Sequence, residues 1–108
     1  MKSVGLKFVL TALICVALSK VAFAAEGEVI LKKGGCSYFI VETNMGFAIL
    51  ESYGGNDPSE GDILVGDYES YGMKNIYNRT ADAELKVWVD NYWLSKSRAI
   101  ERYYDKCD

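Results

Sequence analysis

At 108 residues, with 12 Lys and Arg against 15 Asp and Glu, the chain is long enough for one small core. Its acidic balance, net -3, offers no basic stripe and argues against a protein that grips nucleic acid through the phosphate backbone. Not one histidine is present, which removes the usual general base near neutral pH and the commonest transition-metal ligand.

The first residues decide the compartment. Lys2 and Lys7 precede an apolar run from Phe8 to Leu18, a polar step follows at Ser19-Lys20, and Ala22-Phe23-Ala24 satisfies the small-x-small cleavage pattern. The run is short for a permanent membrane span. Residues 1–24 therefore read as a cleaved signal peptide and residues 25–108 as one exported domain, periplasmic or secreted, with no stable membrane anchor. A lipid anchor on Cys15 fits less well, because Ile14 stands where such processing wants a small residue. An uncleaved tether is the other alternative. Without Lys2, Lys7 and Lys20 the 12 bases fall to 9 against 15 acids, net -6. The exported part keeps Cys36 and Cys107, which an oxidising compartment can join. Such a bridge closes a loop of about 70 residues, worth roughly 4 kcal/mol in the chain-entropy description.

"EVILKK" (Glu28 to Lys33) is short and β-branched, and Gly34-Gly35 ends it. "CSYFIVET" (Cys36 to Thr43), a turn at Asn44-Met45-Gly46 and "FAILES" read as a hairpin. Both strands are apolar on both faces near their centres, which suits a curled sheet better than a flat one. Gly54-Gly55 is expected to break the strand, and Pro58 and Gly61 to shape the loop before Ile63-Leu64-Val65. A further strand is expected around Tyr68 to Ser70, a bend at Gly72 and an extended piece through Ile76-Tyr77. "ELKVWVDNYW" (Glu84 to Trp93) alternates at Leu85, Val87 and Val89, with Trp88 free to face either way. Ser95 or Ser97 then caps a helix whose apolar face is Ala99, Ile100, Tyr103 and Cys107. The expected fold is mainly β: a small antiparallel barrel, OB-like or SH3-like, with one C-terminal α-helix. An antiparallel α+β sheet with one packed helix is the alternative.

The chemistry on offer is narrow. Both exported cysteines are better used as a disulfide, and the serines have no histidine partner and no nucleophile elbow. Six carboxylates between Glu51 and Glu69 lie mostly in polar turns, an environment that leaves them ordinary acids rather than a catalytic pair. They do not follow the order of an EF-hand loop, so a solvated acidic turn is preferred to a calcium site. "NRT" (Asn78 to Thr80) matches a glycosylation acceptor, a triplet that also arises by chance. Aromatics are the better lead: eight tyrosines and two tryptophans, all outside the signal. The candidate binding residues are Tyr53, Asp57, Glu60, Asp62, Tyr68, Tyr71 and Trp93, with Cys36 and Cys107 as the disulfide.

The leading expectation is a non-catalytic binding or accessory domain, without cofactor or metal, that contacts an envelope or secreted protein or a glycan. An inhibitor of a secreted hydrolase, its acidic loop steered into a basic cleft, is the second. A small carboxylate-based hydrolase is the third.

Overall fold

The computed structural model describes residues 25–107. The expected signal segment lies outside the described residues. Six strands run in the order β1 (Ala25–Leu31), β2 (Tyr38–Thr43), β3 (Gly46–Gly55), β4 (Ile63–Gly66), β5 (Gly72–Asn78) and β6 (Ala83–Leu94), followed by α1 (Lys96–Lys106). Every pairing is antiparallel, and the spatial order β1-β2-β3-β6-β5-β4 closes into a barrel. Two three-stranded meanders are thus joined twice, by β3 to β6 and by β4 to β1. The barrel with a C-terminal helix expected from the sequence is the fold observed, in closed six-stranded form.

The two-sided apolar character of β2 and β3 now has its explanation. Phe39, Val41, Ala48 and Leu50 belong to the barrel core, together with Val29, Leu64, Ile76, Leu85, Val87 and Val89. Ile40 and Ile49 belong to a second core outside the barrel, where Ala99 and Tyr103 of α1 cover them. Each fully buried aliphatic side chain contributes on the order of 2 kcal/mol by leaving water. Ser95 caps the helix by accepting the Arg98 N–H, and Lys106 lies in its last turn, where a cation suits the dipole. The Tyr103 hydroxyl accepts the backbone N–H of Lys33, tying the helix to the loop after β1.

Local readings differ in two places. The Gly54-Gly55 pair is the paired end of β3 rather than a break before it, since both glycines still face β6, at Lys86 and Leu85. Gly55 has φ +78, and a Cβ there would sit 2.7 Å from the Glu84 carbonyl oxygen, so the glycine serves a close strand crossing. The strand expected at Tyr68 to Ser70 is a turn instead. Asp67 forms it, accepting the Glu69 N–H at 2.9 Å and the Ser70 hydroxyl at 3.1 Å, a local bond that competes with strand pairing.

Cys36 and Cys107 are joined in a disulfide that fastens the end of α1 beside the start of β2, a sequence separation of 71. This intramolecular bond is consistent with a non-cytoplasmic, oxidising environment. The Cys36→Ser/Cys107→Ser variant is expected to lose about 4 kcal/mol of stability. Urea unfolding followed by far-UV circular dichroism checks this, and the strand signal is expected to persist without denaturant.

Candidate functional site

The strand directions sort the candidate residues between the two ends of the barrel. One end carries the start of β1, the β2–β3 turn, the end of β4, the start of β5 and the end of β6; the other carries their opposite termini. The 56–62 loop belongs to the second end, whereas Tyr68, Tyr71 and Trp93 belong to the first. Because β4 runs between the two, the acids and these aromatics do not form one surface.

At the loop end the acids are already engaged. Asp57 pairs with Lys32 at 2.8 Å, and Glu60 accepts the Lys32 backbone N–H at 2.9 Å. Asp62 Oδ2 accepts the Ser59 N–H at 3.0 Å and the Asn78 amide at 2.8 Å. Asn78 is fully buried, donates to Asn56 Oδ1 as well, and accepts the Ala81 N–H. Backbone bonds from Asn56 to Glu84 and from Gly61 to Val29 complete the clamp. The loop's turn residues and acids are therefore spent on fixing the connection into β4, although the Asp57 side chain remains 80% exposed. Burial of Asn78 also removes the "NRT" acceptor from reach in the folded protein. Asn78 was missed as an organising residue because its partners lie 16 and 22 positions away.

At the other end stands an aromatic ledge. The rings of Tyr71 and Tyr92 lie 4.9 Å apart at 56°, and those of Tyr92 and Trp93 lie 5.2 Å apart at 81°. Tyr92 also packs on the barrel core, so it anchors the other two. Tyr71 is 63% exposed and Trp93 58%. Trp93 has φ 58, in the left-handed region that a non-glycine residue enters at a cost on the order of 1–2 kcal/mol. Gly46 makes room for it: a Cβ at Gly46 would lie 3.0 Å from the Leu94 carbonyl oxygen and 3.3 Å from the Trp93 carbonyl carbon.

Asp67, beside the ledge, pairs with Lys74 at 3.2 Å, and farther down β6 Asp90 pairs with Lys106 at 3.3 Å. The Glu69 N–H beside Asp67 holds its carboxyl below the ordinary value, and Lys74 and Ser70 add to the effect.

Tyr68 is at this end but not on the surface. Its ring is 2% exposed, within the barrel core, and burial pushes its phenol up. Its hydroxyl has no hydrogen-bond partner among the described residues. Tyr53 is exposed near the end of β3, apart from the ledge. Elsewhere on the outer wall Met73, Trp88 and Glu51 stand in direct register across β5, β6 and β3, which settles Trp88 as outward-facing.

Among the described residues, no group of three or more His, Cys, Asp or Glu is gathered to hold a metal. No described helix is long and apolar enough to cross a membrane. The chain matches no family model, no curated protein and no solved structure. A small closed barrel with one packed helix is an architecture often used for binding and accessory modules, and function is grafted on it by local sites.

Two variants test these assignments. Asn78→Ala, which strands the Asn56 and Asp62 oxygens and the Ala81 N–H, is expected to cost about 2 kcal/mol in denaturant unfolding. Tyr68→Phe removes a buried hydroxyl without a partner among the described residues and is expected to raise stability by about 1 kcal/mol in the same assay.

Proposed function

We propose that the protein is an exported, non-catalytic binding or accessory domain whose contact surface is the Tyr71–Tyr92–Trp93 ledge, engaging an envelope or secreted protein or a glycan. Cleavage after Ala24 would release a chain starting at Ala25, where β1 starts, and so would leave the described barrel whole.

The observation that carries this reading is Trp93. Trp93 lies where β6 carries one extra residue against β3, between Asn91 opposite Ile49 and Leu94 opposite Phe47. A left-handed residue suits such a bulge, but Gly meets that need at no steric cost and Asn at less. The indole adds little to folding, since most of it faces solvent. A residue that strains the backbone and leaves its ring exposed is explained by what the ring touches in a complex. Tyr and Trp are the side chains that give large, rigid contact area at low entropic cost.

The inhibitor reading rests on the exposed Asp57 carboxylate at the opposite end of the barrel. One experiment separates the two: the oxidised protein is probed against envelope and secreted extracts and against a glycan panel, beside Trp93→Gly, Tyr71→Ala and Asp57→Asn. Trp93→Gly is expected to keep stability within about 1 kcal/mol, the relief of backbone strain offsetting the lost ring contacts. It is also expected to abolish retention of the ligand, as Tyr71→Ala weakens it and Asp57→Asn leaves it intact. Retention that survives Trp93→Gly and fails with Asp57→Asn would transfer the function to the acidic loop.

A further inference from the structure

The disulfide does not lie under a closed surface. Cys36 and Cys107 are both half-buried and line a cleft of about 410 Å³ with Lys33, Ser37, Tyr38 and Lys106. The Lys33 ammonium lies over the Tyr104 ring at 4.6 Å and the Lys106 ammonium over the Tyr38 ring at 4.9 Å. Each is held at the cleft by an aromatic face. Lys106 also pairs with Asp90 at 3.3 Å. Lys33 has no salt bridge to a described carboxylate. The backbone N–H of Tyr38 is directed at Cys36 Sγ, at 3.4 Å.

These groups favour one chemistry. Thiol–disulfide exchange starts with a thiolate attacking one sulfur and expels the other as a thiolate. Nearby cations and N–H donors stabilise the departing anion. We propose that this cleft is a site of thiol–disulfide exchange for thiols carrying negative charge. The incoming thiolate forms a bond to Cys107 Sγ, the Cys107–Cys36 bond breaks, and Cys36 leaves as a thiolate that the Tyr38 N–H faces, in a cleft that Lys33 and Lys106 also line. A second thiolate of the reductant attacks the reductant's sulfur in the mixed disulfide and releases Cys107. Two thiols of the reductant are thereby oxidised to its disulfide, the protein gains two cysteine thiolates, and water supplies their protons.

The charge preference is a demanding one, because it runs against the domain as a whole. Residues 25–108 carry 9 bases against 15 acids, so the overall field repels an anion. An anionic preference therefore requires the local lysines, Lys33 above all, since Asp90 offsets much of the charge of Lys106. The barrel interior does not depend on the bond, since its core residues come from the six strands and the β4–β5 turn.

The test reduces the oxidised protein, below any unfolding concentration of denaturant, with three probes: 2-mercaptoethanesulfonate, 2-mercaptoethanol and cysteamine. Free protein thiols are trapped and counted by mass, and rates are compared per thiolate. The expected order is sulfonate, then neutral, then cationic, with about fivefold between the first and last at low salt. Lys33→Gln, and separately Lys106→Gln, are expected to compress that span, as is added salt. Lys33→Gln breaks no described ion pair, so it stands as the test should Lys106→Gln loosen the helix. A cationic thiol that reacts as fast as the sulfonate would overturn the proposal. So would a rate equal to the unfolding rate and rising with denaturant, which would assign reduction to the unfolded chain.

Discussion

Closure of the barrel rests on β4, its shortest strand. Four residues, Ile63 to Gly66, pair with Glu28 to Ala25 on one side, and Leu64 and Val65 pair with Asn78 and Tyr77 on the other. Without that strip the two meanders would meet only along β3 and β6, and two exposed edges would remain. Six pairings are few to hold a seam, and the surrounding structure supplies reinforcement at both ends of the strip. The Ile63 N–H donates to the Thr80 hydroxyl, the Arg79 N–H to the Ile63 carbonyl, and Asp62 is locked to Asn78 and Ser59. At the far end, close packing of Ile76 over Gly66 leaves no room for a Cβ.

That reinforcement changes the meaning of the acidic loop. Asp57, Glu60 and Asp62 look like a charged surface when read along the chain, yet each bonds to Lys32, Ser59 or Asn78. Glu60 and Asp62 are held in place by these donors through one oxygen each, so their first role is to fix the loop, and a partner would meet them only through their remaining lone pairs. Asp57 is the exception in exposure, and its pair with Lys32 is the kind worth little. The ledge makes the contrary case. Its aromatic residues contribute little to closure, and one of them sits on strained backbone.

Much of the fold was legible because its signals are local. The alternation Leu85, Val87, Val89 points into the barrel as its period requires, and Ser95 caps the helix. Double-sided β2 and β3 called for cover on both faces, and α1 supplies the outer one through Ala99 and Tyr103. The disulfide followed from there being two cysteines, Cys36 and Cys107, beyond the expected signal segment. Misreadings arose where a residue's role depends on a distant strand. Gly55 looks like a break beyond the strand, but it pairs as the last residue of β3, and its need for glycine comes from Glu84 brought against it. Tyr68 looks like a strand residue and a binding candidate until the Asp67 turn places its ring in the core. The candidate site split for the same reason, since residues 56–62 and 67–72 are close in sequence and separated by the length of β4. One signal for the cleft was available and local: "KKGGC" and "KC" put a lysine beside each cysteine.

The helix ties the two ends together without making them interdependent. Its 11 residues span about 16 Å, from the Ser95 cap two residues beyond Trp93 to Cys107 at the opposite end. The turn at Trp93 is set by Gly46, by the pairing of Leu94 with Phe47 and by the Ser95 cap, all at the helix's first turn. The middle of the helix is fixed separately, by Ala99 and Tyr103 on Ile40 and Ile49 and by the Tyr103 hydroxyl on Lys33. Opening the disulfide therefore frees the last turn, where Cys107 and the Lys106–Asp90 pair remain, before it disturbs anything that positions the indole. The ledge, carried by β6 and by Tyr71 just before β5, and the cleft at the far end of α1 are thus held by different contacts, and opening the disulfide leaves the ledge's geometry standing.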